Sequence, residues 1–242
     1  MAQDITEREN ILRMRKNFIA NASHELRTPL TVIAGYLEMI QADEQLPESL
    51  GIAVDAAISQ SIRMQRIIED LLTLSRLENS ELDDQSCSVI DIASMLQGII
   101  NNEKTLIIDN SHTLNATIDH DLKIKGMQTE INSACNNLIH NAIRHTQQGT
   151  EINVIWHMQP SGTACLVIKD NGQGISDEHI KHLTERFYRV DKGRSRDKGG
   201  TGLGLAIVQH IVLRHGGKLD IQSSLDKGST FTICFPSKRV II

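Results

Sequence analysis

Hydrophobic residues recur at helical intervals over the first third of the chain. A first seam repeats every seven residues, which predicts one long helix ending in the polar stretch QADEQLPES, and consists of Leu12, Ile19, Leu26, Ile33 and Ile40. After Pro47 a second seam alternates steps of three and four residues and consists of Val54, Ala57, Ser61, Met64, Ile68 and Leu71. Two such helices form a hairpin over residues 11–79, and a lone hairpin leaves one apolar face of each helix uncovered. We therefore expect two copies of the chain to pair as a dimeric four-helix bundle.

The pattern changes at about residue 80, where short β-rich runs begin to alternate with helical stretches. The β-rich runs are HTLNATID, LKIKG, EINVIWHM, TACLVIKD, KLDIQSS and STFTICFP, and the helical stretches lie near residues 92–104, 127–145, 177–184 and 203–215. The turns PSG and DKGS each join two of these runs, which predicts two antiparallel β-hairpins. Residues 80–242 are therefore expected to form a second, α/β domain, so that the whole chain is an α+β protein of two domains.

Composition narrows the possible functions. The 242 residues are 40% hydrophobic and 23% charged with a formal net charge of −5, which fits a globular protein and gives no general attraction to nucleic acid. Aromatic residues make up 3%, too few for the stacking platforms of single-strand binders. Cys87, Cys135, Cys165 and Cys234 lack metal-ligand spacing, so we expect reduced thiols with neither zinc nor a disulfide framework. Without a membrane-spanning run or a signal peptide, the chain as given is expected to be cytoplasmic.

The segment NASHELRTPL places Pro29 inside the first helix, where a proline removes a backbone hydrogen bond close to a histidine. On a helical wheel His24 projects away from the seam and towards solvent. Glu25 follows directly, and a carboxylate beside an imidazole accepts the Nδ1 proton and makes Nε2 a better nucleophile. Thr28 lies one turn further along the same face, where its hydroxyl can position a water molecule. These residues indicate a nucleophilic histidine, with a solvated surface histidine as the alternative.

The helical run NNLIHNAIRH offers a place for a metal ion and phosphates, although the chain lacks the P-loop pattern. Asn137 and Asn141 lie four residues apart on one helix face, with Leu138 and Ala142 beneath them. Amide oxygens suit Mg²⁺, which can take the phosphates of ATP as its remaining ligands. The alternative is ordinary surface polarity.

The run DNGQGI follows a β-rich run directly, which places Asp170 at a strand end. A carboxylate there can accept a hydrogen bond from the exocyclic amine of adenine, whereas guanine presents a carbonyl and leaves the acid unsatisfied. The site should therefore prefer ATP to GTP. A plain turn would have a similar sequence.

The run GGTGLGL leads into a helical pattern, so backbone amides bared by glycine meet a helix N-terminus. Such an arrangement favours an anion. Between Phe187 and Gly200 the chain carries five Lys and Arg residues among glycines, which is also typical of a solvated loop.

The eight residues from Ser23 to Leu30 resemble the phospho-accepting box of the sensor histidine kinases. This resemblance implies that His24 accepts phosphate from ATP and that Glu25 is the general base. It also implies that Thr28 assists hydrolysis of the phosphorylated response regulator, which is the expected protein partner.

The order of the asparagine helix, Asp-x-Gly-x-Gly, glycine run and Gly-Ser-Thr resembles the ATP-binding domain shared by sensor kinases, heat-shock chaperones, gyrase-type topoisomerases and mismatch-repair ATPases. The resemblance implies an α/β sandwich with a mixed sheet and a mobile lid over ATP between Phe187 and Gly200. It implies that Asn141 binds Mg²⁺ with Asn137 beside it, and that Asp170 holds adenine. The further nucleotide-binding residues that it implies are Arg144, His145, Gly172, Gly174, Phe187, Arg189, Gly200, Thr201, Gly202, Leu203, Gly204 and Thr230.

Longer strings, especially LTERFYRVDKGRSRDKGGTGLGLAIV, resemble the branch of sensor kinases that controls phosphate regulons through a DNA-binding response regulator. Residues 4–6 resemble the exit of a PAS sensor domain, so residues 1–10 are expected to be a linker from an upstream sensor. The resemblance then implies that the chain is the cytoplasmic core of a longer protein anchored in the inner membrane, with no direct contact to nucleic acid.

Other hypotheses stay open at this point. A chaperone- or topoisomerase-type ATPase of the same nucleotide fold would need a catalytic carboxylate on the asparagine helix, where Glu130 is the only nearby candidate. A scaffold that binds without phosphorylating is opposed by the intact Asp170, Asn141, Gly202 and Gly204. The sequence also leaves open whether the chain serves another signalling pathway, and whether His24 is phosphorylated within or between subunits.

Overall fold

A computed structural model of the protein describes residues 28–43, 46–107, 112–190 and 200–242. Helix α1 is described over residues 28–41, and α2 spans Glu48–Asn79. Gln41 Nε2 donates to Asp55 Oδ1 over 2.6 Å, and Gln65 Nε2 donates to Thr31 Oγ1 over 3.3 Å. Because both bonds join α1 to α2 with opposite chain directions, the two helices form the predicted antiparallel hairpin.

One face of this hairpin is apolar and exposed in the single chain. Val54 and Ser61 of the second seam are buried, but Met64 of the same seam is 44% exposed, which the seam did not predict. The large hydrophobic residues exposed on the two helices are Val32, Ile33, Tyr36, Met39, Ile40, Leu50, Ile52, Ile62 and Met64. The expectation of an uncovered apolar face is therefore confirmed. No helix in the described ranges is long and apolar enough to cross a bilayer.

The second domain alternates helices and strands as its sequence pattern predicts. Its helices are α3 (Ile92–Ile107), α4 (Gln128–His145), α5 (Asp177–Ile180) and α6 (Gly204–Arg214). Its strands are β1 (Ser88–Ile90), β2 (Thr113–Ile118), β3 (Lys123–Gly126), β4 (Glu151–Met158), β5 (Ala164–Asp170), β6 (Lys218–Ser224), β7 (Gly228–Phe235) and β8 (Val240–Ile241). Strands β1 and β8 are too short to be seen in the sequence pattern, and α5 is shorter than the stretch of 177–184 that was predicted.

The main sheet has the strand order β2-β4-β5-β7-β6. The turns after Gln159 and Leu225 each close an antiparallel hairpin, β4 with β5 and β6 with β7, as predicted. Strand β2 runs parallel to β4, so the sheet is mixed. A second sheet has three strands in the order β1-β3-β8.

A single apolar core joins the sheet to its helices. Alternate residues of β4, β5 and β7 point into it because side chains alternate across a strand, and Trp156, Leu166 and Phe235 are almost fully buried. Helices α4 and α6 pack on this face, and α2 packs in turn against α6. The two domains are therefore in contact through α6, which begins at the glycine run.

The opposite face of the sheet carries a feature that the sequence did not predict. Cys165 of β5 and Cys234 of β7 are directly paired in the strand register and form a disulfide, although they are 69 positions apart along the chain. The expectation of four reduced thiols was wrong for this pair, because register on neighbouring strands cannot be read from cysteine spacing. Cys87 and Cys135 are free thiols.

Candidate functional site

Asp170 is the last residue of β5, and its carboxylate is almost fully buried at 5% exposure. Its Oδ1 accepts the backbone N–H of Gly172 over 2.9 Å and that of Ser229 over 3.2 Å. Burial raises the pKa of Asp170 above its ordinary value, although the two N–H donors lower it in part. Because Oδ1 is occupied by the backbone, Oδ2 is the oxygen left to accept from a ligand such as the adenine amine.

The glycines after Asp170 are required by close packing. A Cβ atom on Gly172 would lie 2.8 Å from Thr146 Cγ2 and 3.0 Å from Asp170 Oδ1. Gly174 has φ of +69°, and a Cβ atom there would lie 1.9 Å from the carbonyl oxygen of Ser224. Any side chain at Gly174 would therefore push the loop away from the end of β6.

The strand register separates Thr230 from this part of the site. Thr230 is paired with Lys169, so its side chain lies on the opposite face of the sheet from Asp170. Ser229 lies on the same face as Asp170, is buried, and donates its N–H to the carboxylate. The motif Gly-Ser-Thr was recognised in the sequence, but the structure brings its serine, not Thr230, to Asp170.

The asparagine helix meets the start of α6. Leu138 and Ala142 are buried as expected, and Asn137 and Asn141 lie above them on a half-buried face of α4. Asn137 Nδ2 donates to the carbonyl of Ser133 over 2.9 Å, which leaves its Oδ1 for other partners.

That oxygen points at the first residue of α6. A Cβ atom on Gly204 would lie 2.5 Å from Asn137 Oδ1 and 3.9 Å from Asn141 Nδ2. The two predicted motifs, the asparagines and the glycine run, are therefore adjacent in space. The amide oxygen beside a helix N-terminus, where phosphates bind readily, fits a magnesium ion shared with those phosphates.

The glycine run is hydrogen-bonded to the segment that contains Phe187. The N–H of Phe187 donates to the carbonyl of Gly202 over 2.9 Å, and both residues have positive φ, +62° and +73°. A Cβ atom on Gly202 would lie 2.9 Å from Phe187 Cα. Leu203, by contrast, is fully buried in the core, so only its backbone faces the site. Its N–H donates to Thr201 Oγ1 over 3.2 Å.

Basic residues at the end of α4 border the same run. A Cβ atom on Gly200 would lie 4.0 Å from His145 Nε2. Arg144 is half-buried, and its guanidinium contacts His140 Nε2 over 3.4 Å. Burial, and then the charges of Arg66 and Arg189, lower the pKa of Arg144. Arg144 and Arg189, both predicted from the sequence, therefore lie close to one another and to Arg66 of α2, which was not predicted.

A contact across the two domains was also missed in the sequence. Thr201 Oγ1 donates to Asp70 Oδ2 of α2 over 2.7 Å. Burial raises the pKa of Asp70, while the bond from Thr201 lowers it and Arg66 lowers it further. The two partners are 131 residues apart, so no local signal could have paired them.

A second group of contacts holds the end of α2. Glu78 is paired with Arg186 and lies 3.4 Å from His210 Nε2. Arg214 of α6 donates to the carbonyl oxygens of Ser80 and Glu81. The segment that directly follows α2 is thereby bound to α6.

Glu130 was the candidate for the catalytic carboxylate of an ATPase, but its side chain contacts residues at the end of α6. Its Oε2 lies 3.3 Å from Arg214 Nε and 3.9 Å from His215 Nδ1, and its side chain is 14% exposed. It therefore contacts the C-terminal end of α6 and lies two turns from Asn137 along α4.

Some predicted residues lie outside the described part of the chain. His24 and Glu25 are among them, and so are residues 191–199 of the predicted lid. Thr28 is the first residue of the described part of α1. In the described part of the chain, no cluster of three or more His, Cys, Asp or Glu side chains is arranged to hold a metal ion.

Comparison with known families gives two matches along the chain. Residues 14–80 match the His Kinase A (phospho-acceptor) domain. Residues 126–239 match the Histidine kinase-, DNA gyrase B-, and HSP90-like ATPase family. The first match ends at residue 80 and the second begins at residue 126.

Individual relatives match almost the whole chain. The Phosphate regulon sensor protein PhoR of Pseudomonas aeruginosa is 40% identical over 242 residues, which covers 99% of this chain and 54% of that protein. Sensor protein SrrB of Staphylococcus aureus is 35% identical over 243 residues, which covers 97% of this chain and 40% of that protein. The chain therefore spans about half, or less, of the length of these relatives.

A solved structure shares the arrangement of the two domains. Full-length ShkA, crystallised in complex with AMPPNP, is 20% identical and superposes with a TM-score of 0.75, covering 91% of this chain and 45% of that one. At this level of identity the likeness concerns the fold alone.

Proposed function

Because this chain belongs to the sensor histidine kinases, we propose that it transfers the γ-phosphoryl group of ATP to His24 and passes it to an aspartate of a response regulator. The observation that carries the proposal is Asp170, a buried carboxylate with Oδ1 held by two backbone N–H groups and Oδ2 left for adenine. An adenine site of this kind in the same chain as a phospho-acceptor sequence supplies both halves of an autokinase.

In the proposed transfer, His24 Nε2 attacks the γ-phosphorus and the bond to the β-phosphate oxygen breaks, so that ADP leaves. Glu25 accepts the proton of Nδ1 and stabilises the imidazolium as it forms. The backbone amides at the start of α6 and the guanidinium groups of Arg144 and Arg189 offset the charge of the phosphates. Asn141, with Asn137 beside it, would hold a Mg²⁺ ion that neutralises phosphate charge when bound.

The remaining roles of the hairpin are part of the same proposal. The response regulator docks at the His24 region, and Thr28 orients a water molecule for hydrolysis of its phosphoaspartate, so that the chain also acts as a phosphatase. A second copy of the chain covers the exposed hydrophobic residues of α1 and α2, because large exposed apolar surfaces on a globular protein mark sites of association. Met39, at 72% exposure, is a suitable position for a test, since Met39→Glu should turn a dimer into a monomer in light scattering.

The phosphate regulon is the pathway that we propose, supported by the 40% identity to PhoR. The length of the relatives supports a longer protein in which an upstream sensor and a membrane anchor precede this core. SrrB, at 35% identity, supports a sensor kinase of another pathway as the second candidate. A chaperone-type ATPase is disfavoured by the position of Glu130, which is engaged by Arg214.

The kinase proposal is tested by incubating the chain with Mg²⁺ and ATP labelled in the γ-phosphate. Wild type and His120→Ala, a substitution at an exposed histidine, should both acquire an acid-labile label. His24→Ala should acquire none. Equal labelling of His24→Ala and wild type would contradict the assignment of the phospho-acceptor.

The pathway and the phosphatase are tested with the labelled protein. Transfer to a phosphate-regulon response regulator should be faster than transfer to the regulator that pairs with an SrrB-type kinase, and equal rates would remove the reason for choosing the pathway. Thr28→Ala should retain phosphotransfer but slow the loss of phosphate from the regulator, whereas an unchanged rate of loss would contradict the role of Thr28.

A further inference from the structure

Helix α2 of the hairpin reaches the phosphate end of the ATP site. The bond between Asp70 and Thr201 fixes α2 against the glycine run, one to three residues before the N-terminus of α6. Helices α2 and α6 also pack against each other. A side chain on this face of α2 is therefore close to the helix N-terminus at which phosphates are expected.

Arg66 is such a side chain. It lies one helical turn before Asp70, so the two residues share a face of α2. Burial raises the pKa of Asp70, and the positive charge of Arg66 opposes that rise. Burial lowers the pKa of Arg144 in the ATP-binding domain, and the charge of Arg66 lowers it further, so Arg66 lies near both residues. Arg66 is exposed, so it can turn towards a ligand.

The two arginines of the ATP-binding domain are held in place by different elements. Arg144 extends from α4 one turn after Asn141, and its contact with His140 is continued by His140 Nδ1 to Glu103 Oε1 over 3.3 Å. Arg189 follows Phe187, which is bonded to Gly202. Each of the three arginines thus lies on a segment that contacts the glycine run, and the charges of Arg66 and Arg189 both act on Arg144.

Like charges that are held close together repel one another, and an anion between them relieves this repulsion. The same three groups in their fork-shaped geometry match the oxygens of a phosphate. In the proposed function Asp170 holds adenine and the glycine run binds the phosphates, so the terminal phosphate would lie on the side of the site that α2 contacts.

We propose that Arg66 is a phosphate-binding residue that the hairpin contributes to the ATP site, where it receives the terminal phosphate together with Arg144 and Arg189. This inference rests on the proposed binding of ATP. It adds that the ATP site is complete only when α2 is docked against α6. A nucleotide with a γ-phosphate then stabilises the contact between the two domains more strongly than ADP, which lacks that group.

The test compares the binding of AMP-PNP and ADP, each with Mg²⁺, to the whole chain by titration calorimetry. Arg66→Gln should weaken the binding of AMP-PNP by about tenfold, the equivalent of about 1.4 kcal/mol. It should weaken the binding of ADP by no more than about twofold. Arg66→Lys, which keeps the charge, should recover most of the affinity. Arg76→Gln makes the same change of charge at another exposed position of α2 and should bind both nucleotides as wild type does.

The outcomes separate this inference from the proposed function. Equal affinity of Arg66→Gln and Arg76→Gln for AMP-PNP would overturn the role of Arg66 while ATP binding itself stands. Equal losses for AMP-PNP and ADP would also overturn it, because a residue that only holds the domains together does not distinguish the terminal phosphate. If wild type bound neither nucleotide, the proposed function would fall, and this inference with it.

Discussion

Thr201 donates its hydroxyl hydrogen to Asp70 over 2.7 Å, and this bond joins the glycine run of the ATP-binding domain to α2 of the hairpin. Thr201 Oγ1 also accepts the N–H of Leu203, so one hydroxyl serves the start of α6 and the domain contact together. Release of the ATP-binding domain from α2 must break the bond to Asp70. The bond is therefore part of the free energy that holds the two domains in this arrangement.

A double-mutant cycle measures that contribution. Asp70→Ala and Thr201→Val should each destabilise the docked chain, and the pair together should cost less than the sum, with a coupling of about 1–2 kcal/mol because one partner is charged. Trp156 is the only tryptophan and lies in the core of the ATP-binding domain, so its fluorescence follows unfolding in guanidinium. Thr232→Val, on the far face of the sheet, should be additive with Asp70→Ala. Additivity of Thr201→Val as well would mean that the bond contributes nothing.

Asp170→Asn should weaken nucleotide binding without lowering the stability of the fold. The asparagine keeps an oxygen for the N–H groups of Gly172 and Ser229, so its Nδ2 replaces Oδ2 and meets the adenine amine donor to donor. We expect the affinity for ATP to fall about 100-fold or more. The matched change Asp177→Asn, at an exposed residue of α5, should leave the affinity unaltered.

The stability of Asp170→Asn follows from the direction of the pKa shift. The folded state raises the pKa of this acid, so folding favours the protonated form and the carboxylate costs free energy at pH 7. A neutral amide removes that cost, and we expect the unliganded variant to be as stable as wild type or up to about 2 kcal/mol more stable. A clear loss of stability would show that the buried carboxylate of Asp170 does not destabilise the folded protein at pH 7.

Gly204→Ala tests the contact between α6 and the asparagine helix. The new Cβ atom would lie 2.5 Å from Asn137 Oδ1, the end of a flexible side chain, so the fold should survive while the amide is displaced. We expect Mg²⁺-dependent binding of ATP to weaken at least about tenfold with little change in melting temperature. Gly98→Ala in α3 has no atom within 4 Å of its new Cβ atom and should slightly stabilise the chain without altering binding. Unchanged nucleotide affinity of Gly204→Ala would exclude Asn137 from the site.

The sequence was most informative where structure and chemistry are local. The turns after Gln159 and Leu225, the asparagine helix and the loop after Asp170 were predicted because turn residues and helical periodicity act over a few positions. The sequence was least informative where strand register or the contact between the two domains determines which residues come together.

Three particular features show this limit. Ser229 replaces Thr230 beside Asp170 because a strand alternates its faces at every residue. Cys165 meets Cys234 through the register of β5 with β7. Asp70 meets Thr201 only because α2 and α6 pack together, which depends on the assembled core and not on any local pattern.

His215 gives the ATP-binding domain a dependence on pH that lies apart from its site. The imidazole is fully buried, with Nδ1 donating to the carbonyl of Ile211 over 2.8 Å and Nε2 accepting the N–H of Met127 over 3.1 Å. Burial lowers the pKa of His215 to about 4, and the charges of Arg239 and Arg214 lower it as well, against the opposing bond to Ile211. The neutral tautomer therefore links the end of α6 to the start of α4.

Because the unfolded histidine titrates near its ordinary pKa of about 6.5, the unfolded chain binds a proton before the folded one does as the pH falls. The free energy of unfolding should thus be highest above about pH 6.5 and should decline between there and about pH 4, by about 3 kcal/mol in total from this group.

His215→Gln should be less stable at pH 7.5, since it disturbs two buried hydrogen bonds, but should lose less stability on acidification. Unfolding in guanidinium, followed by Trp156 fluorescence at pH 7.5, 6 and 5, measures both effects, and the exposed substitution His120→Gln provides the control for a change of one histidine. Parallel acid profiles of wild type and His215→Gln would assign the acid sensitivity to other groups.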